Sequence, residues 1–246
     1  MKNDIQLIIP LAGEGKRFKD KYNVPKPIIS IFGESMISLA FRTLNIPHSK
    51  AVFVIRSDQD VDGVIMKEIK SISKNNEIVV IDQLTDGPCC TALLAKSKLD
   101  LNKPLVVANC DQVMKWDGGK FIRYCKHENY DGVVVTYHET TPKNSYAKLN
   151  LNGDVVEIRE KQKISNISLN GIHYWKTAGS FINSSEEMIA NEDRVNNEFY
   201  ISQSYNYLIR KNKKIGIYHI PNEQHYAIGT TEDLDSYINK EKINIK

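Results

Sequence analysis

The sequence predicts an α/β protein with a mixed, mostly parallel central sheet flanked by helices. Short β-branched runs in the first half are apolar on both faces, as strands buried between two helical layers must be. Apolar stripes at 3/4 spacing lie between them, the signature of helices that cover such a sheet. Past residue 130 the runs shorten and turn signals separate them, which points to antiparallel strands added to the parallel set.

The first run is Gln6–Leu11, followed by a loop with Gly13 and Gly15. Met36, Leu39, Ala40 and Leu44 then mark a helix face, and Ala51–Ile55 is the next strand. Val61, Val64, Ile65, Glu68, Ile69 and Ile72 form a second stripe with one charged exception, and Glu77–Ile81 and Pro104–Ala108 read as two more buried strands. In the second half, Gly132–Tyr137, Tyr146–Leu151, Val155–Arg159 and Leu169–Tyr174 read as strands, with Asn152-Gly153-Asp154 as a turn. Helical stretches at Ser184–Asn191 and Tyr200–Arg210 precede a last strand at Ile215–Ile220. No repeat, Pro/Ser linker or charge block marks a boundary. The expectation is one domain over 1–246, read as two halves at about 1–115 and about 116–246.

Composition excludes several classes. The 246 residues carry 33 Lys+Arg against 30 Asp+Glu, a net +3 that is too mild for a nucleic-acid surface. Lys211-Asn212-Lys213-Lys214 and the tail Asn239–Lys246 read as solvated faces. No apolar run approaches a membrane span, and residues 1–12 are too short for a signal segment. Cys89, Cys90, Cys110 and Cys125 show no C-x-x-C spacing and no cluster with His, so zinc and disulfides are not expected and a reducing cytoplasm is. Nothing in the pattern chooses an oligomeric state.

The strand Gln6–Leu11 runs into Ala12-Gly13-Glu14-Gly15-Lys16-Arg17-Phe18, and Lys26-Pro27 follows. Glycines directly after a buried strand let backbone N–H groups face phosphate oxygens, and Lys16, Arg17 and Lys26 add cations. A P-loop would need Gly at Pro10 and Ser or Thr at Arg17, and a dinucleotide fingerprint would need a small residue at Phe18. On these residues alone the segment is either a phosphate cradle or an ordinary βα turn with exposed basic side chains.

Taken with what lies downstream, Leu11-Ala12-Gly13-Glu14-Gly15-Lys16-Arg17-Phe18 and Lys26-Pro27 resemble the signature of the sugar-nucleotide pyrophosphorylases and cytidylyltransferases. The resemblance continues in order through Gln83-Leu84-Thr85-Asp86-Gly87-Pro88-Cys89-Cys90-Thr91-Ala92, Ala108-Asn109-Cys110-Asp111-Gln112 and Ser145-Tyr146-Ala147-Lys148. It goes on through Glu160-Lys161, Asn170-Gly171-Ile172-His173-Tyr174, Asn197-Glu198-Phe199-Tyr200 and Ile228-Gly229-Thr230-Thr231-Glu232-Asp233-Leu234. It implies a Rossmann-like nucleotidyltransferase fold and transfer of a nucleotidyl group from an NTP to a phosphorylated small molecule, with pyrophosphate leaving. The texture of the Gly87 and Asp111 segments is similar to the capsule and surface-polysaccharide branch. That likeness favours CTP as donor and an amino-acid amide phosphate, rather than a sugar 1-phosphate, as acceptor.

Such chemistry needs no general base, because a phosphomonoester is already ionised; it needs cations, positioning and a metal. The resemblance puts Arg17, Lys26, Asp111 and Lys161 in catalytic roles, with Asp111 as the Mg²⁺ ligand and Lys161 gripping the acceptor phosphate. It puts Leu11, Ala12, Gly13, Gly15, Lys16, Gln83, Gly87, Pro88 and Asn109 on the nucleotide, and Tyr146, Glu160, Asn170 and Glu198 on the acceptor. By their types alone, Asp111 could cap a turn and Glu160-Lys161 could be surface decoration. The family's second metal-binding Asp falls at Ala227 here, which puts a two-carboxylate site in doubt and leaves Glu198 and His225 as substitutes. A dehydrogenase on a similar sheet, or a silent nucleotide-binding module, are the competing readings.

Overall fold

The computed structural model describes residues 4–72 and 75–244. The side chain of Val61 and the last two residues of the lysine-rich tail lie outside the described part. The first half alternates as expected: β1 (Gln6–Pro10), α1 (Lys16–Lys19), the small hairpin β2 (Ser30–Ile31) and β3 (Glu34–Ser35), α2 (Met36–Leu44), β4 (Lys50–Arg56), α3 (Val64–Ile72), β5 (Asn76–Ile81), α4 (Pro88–Leu93) and β6 (Leu105–Ala108). The second half follows with β7 (Gln112–Met114), α5 (Gly118–His127), β8 (Gly132–His138), β9 (Ser145–Leu149), β10 (Val155–Glu160), β11 (Ile167–Trp175), α6 (Ala178–Ala190), α7 (Ser204–Ile209), β12 (Ile215–His219), β13 (His225–Ala227) and α8 (Thr231–Asn244).

Strands from both halves share one nine-stranded sheet, whose main path runs β10-β9-β11-β6-β1-β4-β5. β4 and β6 flank β1 in parallel, and β5 continues parallel beyond β4. β11 then joins β6 antiparallel and turns the sheet mixed. Since the chain runs outward from β1 through β4 to β5 and then returns to β6 on the other side, the order reverses between β1 and β6. In open α/β sheets that reversal opens a crevice at the carboxyl ends of the strands.

The central strands explain the apolar runs: Leu7, Ile8, Ile9, Val52, Phe53, Val54, Val106 and Val107 are all 1% exposed or less. β5 departs from expectation. It is the edge of the sheet, no strand among the described residues covers its far side, and Val80 is 49% exposed. The Tyr200–Arg210 stretch divides into a 3₁₀ turn over Ile201–Gln203 and α7, while α6 begins earlier than expected, where the Thr177 side chain accepts from Ser180 N. Trp175 of β11 stacks on Tyr205 of α7 at 4.6 Å, and the Tyr205 hydroxyl donates to Tyr174 O at 3.0 Å, fixing that helix to the sheet.

β12 is not the last strand. β13 pairs antiparallel with β7, and α8 then packs Leu234 and Tyr237 into a cluster with Phe18, Ile29, Met36, Val113 and Ile228. Lys21 Nζ bonds both carboxylate oxygens of Asp235, at 2.7 and 2.6 Å, beside that cluster. Among the described residues no helix is long and apolar enough to cross a membrane, and all four cysteines are free.

Candidate active site

The loops that follow β1, β4, β5 and β6 enclose a cleft of about 600 Å³ at the strand-order reversal. Leu11, Ala12, Gly13, Gly15, Lys26, Gly87, Pro88, Asn109 and Asp111 line it, so most of the residues expected on the nucleotide come to one place. Glu198 lines the same cleft, although it arrives from the second half of the chain.

The glycine loop is held from behind. Leu11 N donates to Val54 O at 2.8 Å, which continues the sheet by one residue. The buried Arg56, at the end of β4, donates through Nη1 to Ala12 O at 3.2 Å, and its Nε and Nη2 bond the two carboxylate oxygens of Asp58 at 2.5 and 3.0 Å. Gln59 Nε2 donates to Gly13 O at 2.5 Å. With these carbonyls engaged behind the loop, its geometry is fixed before any ligand arrives. Sequence reasoning missed Arg56 and Gln59; a charged residue at a strand end looks like surface until the fold shows it 7% exposed.

At the floor, Lys26 Nζ lies 2.7 Å from Asp111 Oδ2 and 3.4 Å from Gly229 O. Burial alone would raise the Asp111 carboxyl, yet the Lys26 ammonium outweighs it and holds the group below the usual carboxylate range. Burial would likewise lower Lys26, and Asp111 outweighs that too, so the pair is charged on both sides. Arg17 is exposed and lines an adjoining recess with Lys26, Asp111 and Gly229. Lys16 borders the same recess, but it is 72% exposed and pairs with Glu14 at 2.7 Å.

Gln83 is exposed and does not line the cleft; its neighbours Leu84 and Thr85 do. The next turn is built on Gly87, whose φ of +112° and 2.7 Å approach of a notional Cβ to Phe199 N leave no room for another residue. Phe199 N donates to Asp86 O at 2.7 Å and Cys89 N donates to Phe199 O at 3.0 Å, so the Gly87 turn and the Glu198-Phe199 segment are paired like strands. Arg194 braces both, with Nη1 3.0 Å from Asp86 and its guanidinium 4.2 Å from the Phe199 ring centroid.

Asn109 is set by Gly171, a positive-φ residue on β11 where a Cβ would fall 2.1 Å from the Asn109 amide nitrogen. The other expected acceptor contacts lie apart from the cleft. Tyr146 is fully buried and its hydroxyl bonds Thr141 O. Asn170 is 5% exposed and accepts from Ile172 N at 3.1 Å. Both side chains are thus taken up by the sheet. Burial raises the Glu160 carboxyl, and Ser145 and Ser202 hydroxyls bond it. Lys161 is exposed, with Nζ 2.5 Å from the Tyr200 hydroxyl. Of the four expected cations, Lys16, Arg17 and Lys26 border the Asp111 recess, whereas Lys161 lies apart from it beside Tyr200.

Among the described residues no group of three or more His, Cys, Asp or Glu could hold a metal by itself. The position opposite Gln112 in the β13–β7 pair is Ala227, which offers no ligand. His225, one of the two substitutes, has its pKa pushed by burial down to about 4, and its Nε2 lies 3.1 Å from Gln112 Oε1. Glu198, the other, accepts from the Tyr200 hydroxyl. Asp111 is the carboxylate at the floor, with clearance beside its Oδ2 because Gly229 has no Cβ; Glu14, Asp58 and Glu198, which also line the cleft, are engaged by Lys16, Arg56 and Tyr200. This suits Mg²⁺, which commonly takes one or two carboxylates and completes its shell with phosphate oxygens and water.

No protein-family model and no curated protein matches this chain significantly. Solved structures do match. A nucleoside-diphosphate-sugar pyrophosphorylase from Vibrio cholerae RC9 superposes with a TM-score of 0.84 at 22% identity, over 95% of this chain and 99% of that one. A UDP-glucose pyrophosphorylase in complex with UDP-glucose gives 0.79 at 16% identity, over 97% and 98%. A provisionally named glucose-1-phosphate thymidylyltransferase from Bacillus anthracis, in complex with a sucrose, gives 0.77 at 16%, over 96% and 94%. These likenesses establish the fold: an α/β sheet, largely parallel at its centre, of the Rossmann-like kind found in such transferases.

Proposed function

We propose that the chain is a Mg²⁺-dependent nucleotidyltransferase that joins an NTP to a phosphorylated small molecule and releases pyrophosphate. The observation that carries this reading is the Lys26–Asp111 pair, 2.7 Å apart at the floor of the cleft beneath the preorganised glycine loop. A carboxylate for the metal and cations for the phosphates thus stand where an open α/β sheet takes its ligand. Arg17 and Lys26 neutralise the triphosphate and the charge that develops on the α-phosphate. Asp111 holds Mg²⁺, whose chemistry is to offset charge on the phosphate oxygens. The glycine loop, Gly87, Pro88 and Asn109 seat the nucleotide, and Lys161 takes the acceptor phosphate.

The donor favoured is CTP and the setting is capsule or surface-polysaccharide precursor synthesis, in a soluble cytoplasmic enzyme. The motif texture at Gly87 and Asp111 resembles the CTP:phosphoglutamine cytidylyltransferase, so phosphoglutamine is the first acceptor to test. A second reading, a sugar-1-phosphate nucleotidyltransferase using another NTP, is favoured by the names of the structural neighbours. Purified protein, Mg²⁺, and CTP, UTP, dTTP, GTP or ATP in turn, with phosphoglutamine or a sugar 1-phosphate, separates them by pyrophosphate release. Release confined to CTP and phosphoglutamine supports the first. Release with UTP or dTTP and a sugar 1-phosphate supports the second, and no release with any pairing refutes the transferase reading for these acceptors.

A further inference from the structure

The second half of the chain contributes a hydrogen-bonded relay outside the Asp111 recess. Lys161 Nζ donates to the Tyr200 hydroxyl at 2.5 Å, and that hydroxyl donates to Glu198 Oε2 at 2.5 Å. The ammonium also lies 4.7 Å from the centroid of the Tyr200 ring. Lys161 itself sits at a φ of +53°, just past β10, with its N–H bonded to Asn144 O at 2.9 Å.

Tyr200 is pinned on both sides. On one side, Phe199 pairs through its backbone with Asp86 and Cys89 of the turn that borders the cleft. On the other, the Ser202 hydroxyl bonds the Glu160 carboxylate at 3.0 Å, and Ile201, Ser202 and Gln203 are buried. The phenol therefore has a fixed place, defined by the Gly87 turn at one end and by the end of β10 at the other.

The chemistry of the relay matters. A carboxylate in direct contact with Lys161 would neutralise the ammonium that has to attract a phosphate. Here a neutral phenol stands between them. One of the three ammonium donors is used and the others stay available, while Glu198 orients the phenol by accepting its proton. Burial, then the hydrogen bond to Glu198 and its charge, pushes the Tyr200 phenol upward, so it keeps that proton at neutral pH.

We propose that Tyr200 is a positioning residue for the acceptor: its hydroxyl holds the Lys161 ammonium in place and ties it, through Glu198 and Phe199, to the turn that borders the donor cleft. The inference rests on the reading of Lys161 as the acceptor-phosphate cation and deepens it.

Inorganic phosphate is the probe, titrated calorimetrically in the presence of saturating CTP and EDTA, so that the glycine loop is filled and no turnover occurs. The binding component lost in Lys161→Met is the one compared. Tyr200→Phe keeps the ring and removes the hydroxyl, and should weaken that component about tenfold, the worth of a hydrogen bond to a charged group. The CTP dissociation constant and the melting temperature should not move, and Tyr200→Phe should add nothing in a Lys161→Met background. Equal phosphate binding by wild type and Tyr200→Phe overturns the proposal. So do the absence of a Lys161-dependent component and a joint loss of phosphate binding, CTP binding and melting temperature. The Tyr200 effect in a protein that releases no pyrophosphate would refute the transferase reading alone. Turnover by Tyr200→Phe with an unaltered acceptor KM would refute the Tyr200 role alone.

Discussion

Lys26 Nζ and Asp111 Oδ2 meet at 2.7 Å although 85 residues separate them in the chain, and they are 19% and 30% exposed. The lysine comes from the loop after β1 and the aspartate from the loop after β6, so the contact spans the strand-order reversal. Asp111→Asn should lower Mg²⁺-dependent pyrophosphate release by at least about 100-fold, because the site loses the carboxylate at its floor. It should also destabilise the fold by about 2 kcal/mol, since the half-buried Lys26 ammonium loses its counter-charge. Steady-state assay and urea unfolding check the two effects; near-normal turnover in this variant would sink the assignment of Asp111.

Arg56 clamps Ala12 O and Asp58 together, a fork that a lysine cannot reproduce. Arg56→Lys should therefore weaken NTP binding about tenfold while leaving phosphate binding at the Lys161 site unchanged. Nucleotide titration of the two proteins is the check.

Gly87→Ala places a Cβ 2.7 Å from Phe199 N at a φ of +112°, a clash with backbone that no rotamer change relieves. We expect a loss of about 2–4 kcal/mol in unfolding free energy and a weakened CTP affinity. Gln83→Ala, four residues earlier but exposed and outside the cleft lining, should leave the CTP-to-UTP ratio of kcat/KM within about twofold of wild type. A larger change would place Gln83 on the base after all.

His173 is 5% exposed, lies beside the stacked Trp175 and Tyr205 rings with centroids 5.9 and 5.8 Å away, and burial drives its pKa down to about 3. The unfolded chain takes up this proton near 6.5, so between pH 6.5 and 3 the unfolded state binds more protons than the folded one. Stability should then fall as the pH falls through that window. The expected contribution is about 2 kcal/mol lost between pH 7 and pH 5, absent in His173→Phe. Unfolding curves at the two pH values for both proteins measure it.

The parallel half could be read from the sequence because β1, β4 and β6 are buried on both faces, and continuous apolar runs admit few other structures. α8 could not. Among the described residues Leu234 and Tyr237 are its only buried side chains, too few to stand out as a stripe until Phe18 and Ile228 are seen beside them. At the site, the glycine loop, Lys26 and Asp111 stood out because glycines and charges adjoin predicted buried strands. The Lys161–Tyr200 contact did not: 39 residues separate the partners, and tyrosine in an apolar context reads as core. Gln83 and Leu84 differ by one position in a loop without periodicity, so which of them faces the cleft depends on how the turn is anchored to Phe199.

The packing of α8 against Phe18 gives the molecule an order of events. Lys21 and Asp235, on the two sides of this contact, lie 214 residues apart. On the ribosome, the loop that would cradle phosphate emerges long before the helix that packs on its Phe18. A chain made only as far as residue 230 would still have Arg56 and Gln59 to hold the loop carbonyls, but Phe18 would lack the apolar face that Leu234 and Tyr237 supply.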